Sequence, residues 1–198
     1  GGKATADNMI KAWKEGQATS AFYVFQQVYD ENGQPRFGEF VDRNADGVID
    51  YKDRYFYKKS DPDVTMGLST KLTYKNWDLG LGFRASLNNY AYNGVEAGDN
   101  MNTGMSRLYS GNTWHNTFKN ELAKDWTSSS ANASCSDYFI QNASFLKLDN
   151  ITLGYSFNHI GKSKINGRVY ATAQNVFTIT KYKGLDPEID GGYDNNVY

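Results

Sequence analysis

Between Asp42 and Asp53 the sequence spaces its oxygen-bearing side chains in a way that suits one chemistry, the wrapping of a calcium ion. Asp42, Asn44, Asp46, Asp50 and Asp53 stand at positions 1, 3, 5, 9 and 12 of a twelve-residue stretch. Gly47 occupies position 6, where the chain must turn sharply. Val48 at position 7 would offer its backbone carbonyl, and Ile49 at position 8 is an apolar anchor. Ca2+ takes six to eight oxygens at about 2.3–2.6 Å, and this EF-hand-type spacing supplies them from one short loop. Asp53 stands where the longer Glu is usual, which shortens the reach and lowers the expected affinity. No amphipathic helix flanks the loop on both sides, so a static structural ion is expected rather than an opening sensor. The competing reading is an Asp/Asn/Gly-rich turn that holds no metal.

Other chemistry is sparse. His115 and His159 lie in a loop and a turn without a spaced ligand set around them, and each reads as a solvated polar residue. No nucleophile elbow or phosphate-binding loop is present, and the Glu188/Asp190 pair reads as a solvated cluster, so no enzyme is expected. Three glycosylation sequons, at Asn132, Asn142 and Asn150, arise easily by chance in an Asn- and Ser-rich chain. Cys135 is the single cysteine, which excludes an internal disulfide framework. Tyr90, Tyr92, Tyr109, Trp114, Trp126, Tyr138, Tyr182 and Tyr193 sit among amides and carboxylates. Such rings suit the apolar C–H faces of sugars, but packing of the loops against each other or a partner is the favoured reading for most of them.

The elements that would carry these residues are strands. Residues 1–20 read as a loop or short helix, with Asp7 as cap and Met9, Ile10 and Trp13 on the helix. Ala21–Tyr29 is aromatic and β-branched and reads as a strand, followed by a turn at Asp30–Gly33. Thr65–Tyr74 alternates strictly, with Met66, Leu68, Leu72 and Tyr74 on one face. After the Lys75-Asn76 turn, Trp77, Leu79, Leu81, Phe83, Ala85 and Leu87 share a face, opposite Asp78, Gly80, Gly82, Arg84, Ser86 and Asn88. A long polar segment, about 89–142, follows, with a short helix expected at 116–124. Two more strands are expected at about Phe145–Phe157 and Gly167–Thr178. In the first, Leu146 and Leu148 are out of phase with Ile151, Leu153, Tyr155 and Phe157, which predicts a bulge near Asp149.

The 198 residues carry 21 basic and 22 acidic side chains, so no basic field exists to hold nucleic acid. No run of about 18 apolar residues exists, which excludes helical membrane spans but leaves a membrane β-barrel open. Short turns alternate with a very long loop and a long tail, the strands are long, and Tyr74, Trp77, Tyr155 and Phe157 lie near the short-turn ends. An outer-membrane barrel has these features, including the aromatic girdle. An ordinary soluble antiparallel sheet with one wet face accounts for the alternation equally well. Four or five strands cannot close a membrane barrel, and open edges in lipid are costly, so a membrane reading makes this chain part of something larger. The first eleven residues show neither an initiator Met nor a signal peptide, which fits a mature product or a fragment.

A set of motifs resolves the choice. The acidic loop Asp42–Asp53 followed by Arg54, the Asp61-Pro62 step, the run Leu146-Lys147-Leu148-Asp149-Asn150 leading to Gly154-Tyr155, and Gln174-Asn175 before Lys181, Tyr182, Gly184, Asp186 and Pro187 together resemble the C-terminal barrel region of SusC/RagA-type TonB-dependent transporters. The resemblance covers most of the chain from about residue 21. It implies an all-β fold, the antiparallel strands of a large outer-membrane barrel of about 22 strands around a plug, with long extracellular loops. It also implies import of glycans, or in some members peptides, across the bacterial outer membrane. A SusD-like surface lipoprotein would cap the barrel, and TonB would act through a plug segment that this chain lacks. The final barrel strand is also expected to be missing. On this reading residues 21–198 belong to the barrel, the 42–53 loop is extracellular, the Leu79/Leu81/Phe83 face meets lipid, and Arg84, Ser86 and Asn88 face the lumen. The alternative is a secreted soluble calcium-dependent carbohydrate-binding β domain, in which that apolar face is buried in a two-layer core.

Overall fold

The computed structural model of the chain describes residues 10–94, 96, 97, 109, 110, 113, 114, 135–158 and 165–188. The strands are β1 (Ala21–Val24), β2 (Gln27–Tyr29), β3 (Pro35–Phe40), β4 (Tyr55–Lys59), β5 (Val64–Tyr74), β6 (Trp77–Leu87), β7 (Tyr90–Tyr92), β8 (Tyr109–Ser110), β9 (Thr113–Trp114), β10 (Ile140–Asn142), β11 (Phe145–Asn158) and β12 (Asn166–Thr180). They divide into two units.

One unit, Pro62–Asn89 with Ala143–Lys181, is a four-stranded antiparallel sheet in the order β12-β11-β6-β5. The β5–β6 hairpin closes at Lys75-Asn76, with Lys75 at φ 54°. Strict alternation along β5 and β6 puts Leu68 opposite Phe83, Leu72 opposite Leu79 and Tyr74 opposite Trp77. Leu81 and Leu79 in turn lie opposite Ile151 and Leu153.

The expected bulge is present: register shifts between Leu148 and Asn150 against both neighbours. One residue lies between Leu81 and Phe83 on β6, two between Leu148 and Ile151 on β11, and three between Ala173 and Phe177 on β12. Each strand thus carries one residue more than the last, and on β12 Asn175 adopts φ 51°. The extra residue in β11 brings Leu146 and Leu148 onto the same face as Ile151 and Leu153 despite their opposite parity. Leu68, Leu72, Leu153, Val169 and Ile179 on that face are exposed. Among the described residues of this unit no second layer covers the face.

The other unit comprises Gly1–Asp61, Tyr90–Asn142 and Tyr182–Tyr198. It is built from the short antiparallel pairs β1–β4, β2–β3, β7–β10 and β8–β9. Phe22, Val24 and Phe25 are fully buried with Tyr92, Cys135 and Phe139, and Ile49 and Tyr55 pack against them. Phe25 stacks at 5.1 Å on Phe40, and Tyr92 meets Phe139 edge-on at 6.3 Å.

Here the sequence reading needs correction. The strand expected over Ala21–Tyr29 is broken after Val24, because Phe25 leaves β1 to make a parallel bridge with Ser136. Strands β3 and β4 were not expected; neither alternates, and each is defined by its partner. The described part of the expected N-terminal helix, from Ile10, is not helical. Lys11 bridges to Phe22, and the Tyr23 N–H donates to the Ile10 carbonyl at 2.8 Å. The helix expected at 116–124 lies outside the described residues.

Candidate functional site

The acidic loop leads from β3 to β4 and is organised around its last carboxylate. Asp53 sits on a single 3-10 turn, Tyr51–Asp53, and is completely buried. Its Oδ1 accepts from the backbone N–H of Arg43 at 2.9 Å and of Asn44 at 3.4 Å, and its Oδ2 from that of Asp50 at 2.9 Å. These donors, that of Asp50 foremost, hold the carboxyl below the usual carboxylate range.

The other oxygens close smaller rings. Asp42 accepts from Ala45 at 2.7 Å and from Gly47 at 2.8 Å. Asn44 accepts from the Asp46 N–H at 3.0 Å and donates to the Asp46 carboxylate at 2.9 Å. Asp46 accepts from Val48 at 2.9 Å, and Asp50 caps the turn by accepting from Lys52 at 2.8 Å. Gly47, at φ 80°, makes the sharp bend. Ile49 packs inward against the buried cluster, and Val48 points outward.

All five oxygen-bearing side chains of the expected set therefore belong to one ordered loop. Among the described residues, however, no three His, Cys, Asp or Glu side chains converge closely enough to hold a metal ion. Backbone N–H groups occupy the carboxylates instead.

The polar face of the four-stranded sheet holds residues that the sequence reading did not pair. Arg168 on β12 grips Asp78 on β6 through Nε at 2.9 Å and Nη2 at 2.5 Å, across the intervening β11. Gly154 is the β11 residue that lies between them, and a Cβ there would stand 2.6 Å from Asp78 Oδ1. Arg84 likewise forks onto the bulge residue Asp149, at 3.0 and 3.2 Å. Thr152 and Thr172 hydrogen-bond at 3.0 Å on the same face. The signal for the first pair was a glycine in an otherwise regular strand, but its partners lie 90 residues apart.

A partly buried clamp in the other unit was also missed. Asp137 accepts from Tyr55 Oη at 2.7 Å and from the Gln27 N–H at 3.0 Å, while Ser136 donates to Gln27 Oε1 at 3.0 Å. Burial pushes the Asp137 carboxyl up, against the pull of these donors.

Of the loop aromatics, Tyr92 is a core residue, and Tyr90 and Tyr138 pack partly buried against the core. Tyr182 is half-buried, its hydroxyl 3.5 Å from the Tyr92 carbonyl. The side chains of Tyr109, Trp114, Trp126, Tyr193 and both histidines lie outside the described residues. Cys135 is a buried thiol.

No protein-family model matches the chain. It is 51% identical over 193 residues to the TonB-dependent receptor SusC of Bacteroides thetaiotaomicron, which covers 96% of this chain and 19% of that protein. It is 28% identical to the TonB-dependent receptor P3 of Formosa agariphila, over 92% of this chain and 20% of that one. The chain thus spans about a fifth of the length of these curated relatives. Among solved structures, the RagAB peptide transporter matches with a TM-score of 0.63 at 22% identity, over 91% of this chain and 21% of that one. The RagAB importer in its closed-closed state matches with a TM-score of 0.61 at 20% identity. These structural matches carry the fold: antiparallel strands from the wall of a large barrel, whose remaining strands close the open sheet.

Proposed function

Because this chain belongs to the SusC/RagA family of TonB-dependent outer-membrane receptors, we propose that it forms part of the barrel wall of an importer for glycans. A SusD-like surface lipoprotein caps that barrel, and TonB drives it through a plug carried elsewhere in the receptor. The supporting observation is the two-sidedness of the sheet. One face is a continuous apolar surface from Met66 on β5 to Ile179 on β12. The other carries Arg84, Asp149, Asp78, Arg168, Thr152 and Thr172 in hydrogen-bonded pairs, a surface that a polar solute can pass. The uncovered apolar face speaks against the soluble carbohydrate-binding alternative, which requires a two-layer core.

Peptide import is the second reading, favoured by the likeness of the fold to the RagAB peptide transporter. The two separate in cells lacking the receptor gene. Loss of uptake of a labelled glycan pool, with peptide uptake intact, supports the first; the reverse result replaces it with the second.

A structural Ca2+ is proposed in the 42–53 loop, with oxygens from Asp42, Asn44, Asp46, the Val48 carbonyl, Asp50 and Asp53. The support is the spacing, together with a fold in which all five side chains belong to one tight loop. Binding would turn the Asp42, Asp46 and Asp50 carboxylates from their backbone donors toward the ion, and Ca2+ would supply positive charge that ties the loop together. The expected result is that a chelator, or Asp46→Ala, raises protease cleavage within 42–53 of the purified receptor and that added Ca2+ reverses the chelator's effect. Unchanged cleavage after chelation overturns the proposal.

A further inference from the structure

The chain before β1 runs back along that strand and leaves a hollow of about 660 Å3 beside the acidic loop. Trp13 and Lys14 line it from this segment, Tyr23 from β1, Arg43 and Lys52 from the loop, and Arg54 from its end. Of the ten lining residues, four are cations and none is an Asp or Glu.

Three of these cations are held by neighbouring side chains. The Arg43 guanidinium donates to Gln26 Oε1 at 2.8 Å and lies 4.7 Å over the Tyr55 ring. Lys52 is tied to Asp50 at 3.4 Å. Arg54 is buried, 4.8 Å over the Phe25 ring. Positive charge gathered in a concave site attracts an anion more strongly than the same charge spread over an open surface. Trp13 adds a flat indole, 79% exposed, to the lining of the hollow. An indole face matches the C–H face of a pyranose ring.

We propose that this hollow is a subsite for the carboxylate of an acidic saccharide, in which Trp13 stacks on the sugar ring and Lys14, Arg43 and Lys52 hold the anionic group. The subsite rests on the glycan-import reading and adds the class of glycan, one rich in uronic acid.

The test uses the full-length receptor purified with its capping lipoprotein. Binding of a galacturonic acid trimer is compared by calorimetry with binding of its methyl ester, which has the same rings and no charge. The acid is expected to bind at least about tenfold more tightly, as charge-assisted hydrogen bonds require, with the difference shrinking as salt rises. Lys14→Gln combined with Lys52→Gln is expected to erase the preference at an unchanged melting temperature, since both side chains are exposed, and Lys14→Arg to keep it. Equal binding of acid and ester, no binding of either, or a preference that survives the double variant overturns the subsite. Failure of the glycan-import reading is seen separately, in the cellular uptake comparison.

Discussion

At the scale of single residues, the buried Asp53 and the half-buried Asp137 respond to pH with opposite sign. Asp53 is held below its ordinary range by backbone donors. Between its folded and unfolded values the unfolded chain binds more protons. The stability it contributes is therefore present above the unfolded value and is lost as pH falls through the folded one. Asp137 is raised, chiefly by burial. Its contribution is present below the unfolded value and lost as pH rises through the folded one. Acid should thus loosen the 42–53 loop first. Hydrogen-exchange protection of the Arg43, Asn44 and Asp50 amides, corrected for intrinsic rates, is expected to fall as pH drops below the usual carboxylate range. Asp53→Asn should flatten that dependence, and protection that ignores pH in the parent receptor would contradict the assignment. Neither carboxylate's burial could be read from the sequence. Asp53 looks like one more acid in an acidic loop, and Asp137 finds Tyr55 from 82 residues away.

At the scale of elements, the decisive feature is the residue count across the bulge. Asp149 converts a strand whose two halves disagree in phase into one with a single apolar face, because a one-residue slip reverses every side chain. Deleting Asp149 should turn Leu146 and Leu148 to the polar face and remove the Arg84 fork. The expected outcome is a receptor that no longer forms the compact, heat-modifiable species on a gel, whereas Asp149→Ala, which keeps the count, should still form it. This feature was legible because period-two alternation leaves a visible mark when it breaks. β3 and β4 were not legible. Pro35–Phe40 contains a proline and two charged residues, and Tyr55–Lys59 opens on three consecutive aromatics. Their strand state comes from pairing with β2 and β1, a tertiary influence stronger than local propensity.

At the scale of the whole molecule, the proposed barrel wall puts lipid on the apolar face of the four-stranded sheet and the lumen on the polar one. Tyr74, Trp77 and Tyr155 cluster at the β5–β6 turn, with Trp77 and Tyr155 ring centroids 4.8 Å apart, as an interfacial girdle requires. The two faces should respond differently to the same charge. Leu81→Arg on the apolar face is expected to cost about 2–4 kcal/mol near the middle of the bilayer, read from urea unfolding of the receptor in lipid vesicles. Thr152→Arg, on the neighbouring strand but the polar face, is expected to cost much less, and equal costs would mean that the lipid face has been misassigned.

The sequence by itself determined the long strands, their two faces and the bulge. Each of these is local or periodic, and side-chain alternation writes it directly along the chain. Only the tertiary structure decided that Gly154 makes room for Asp78 and Arg168, that Tyr92 and Phe139 are core rather than ligand-facing rings, and that Trp13 and Lys14 share a hollow with Arg43 and Lys52. These features depend on residues far apart in the chain, and only the paired backbone brings them within reach of one another.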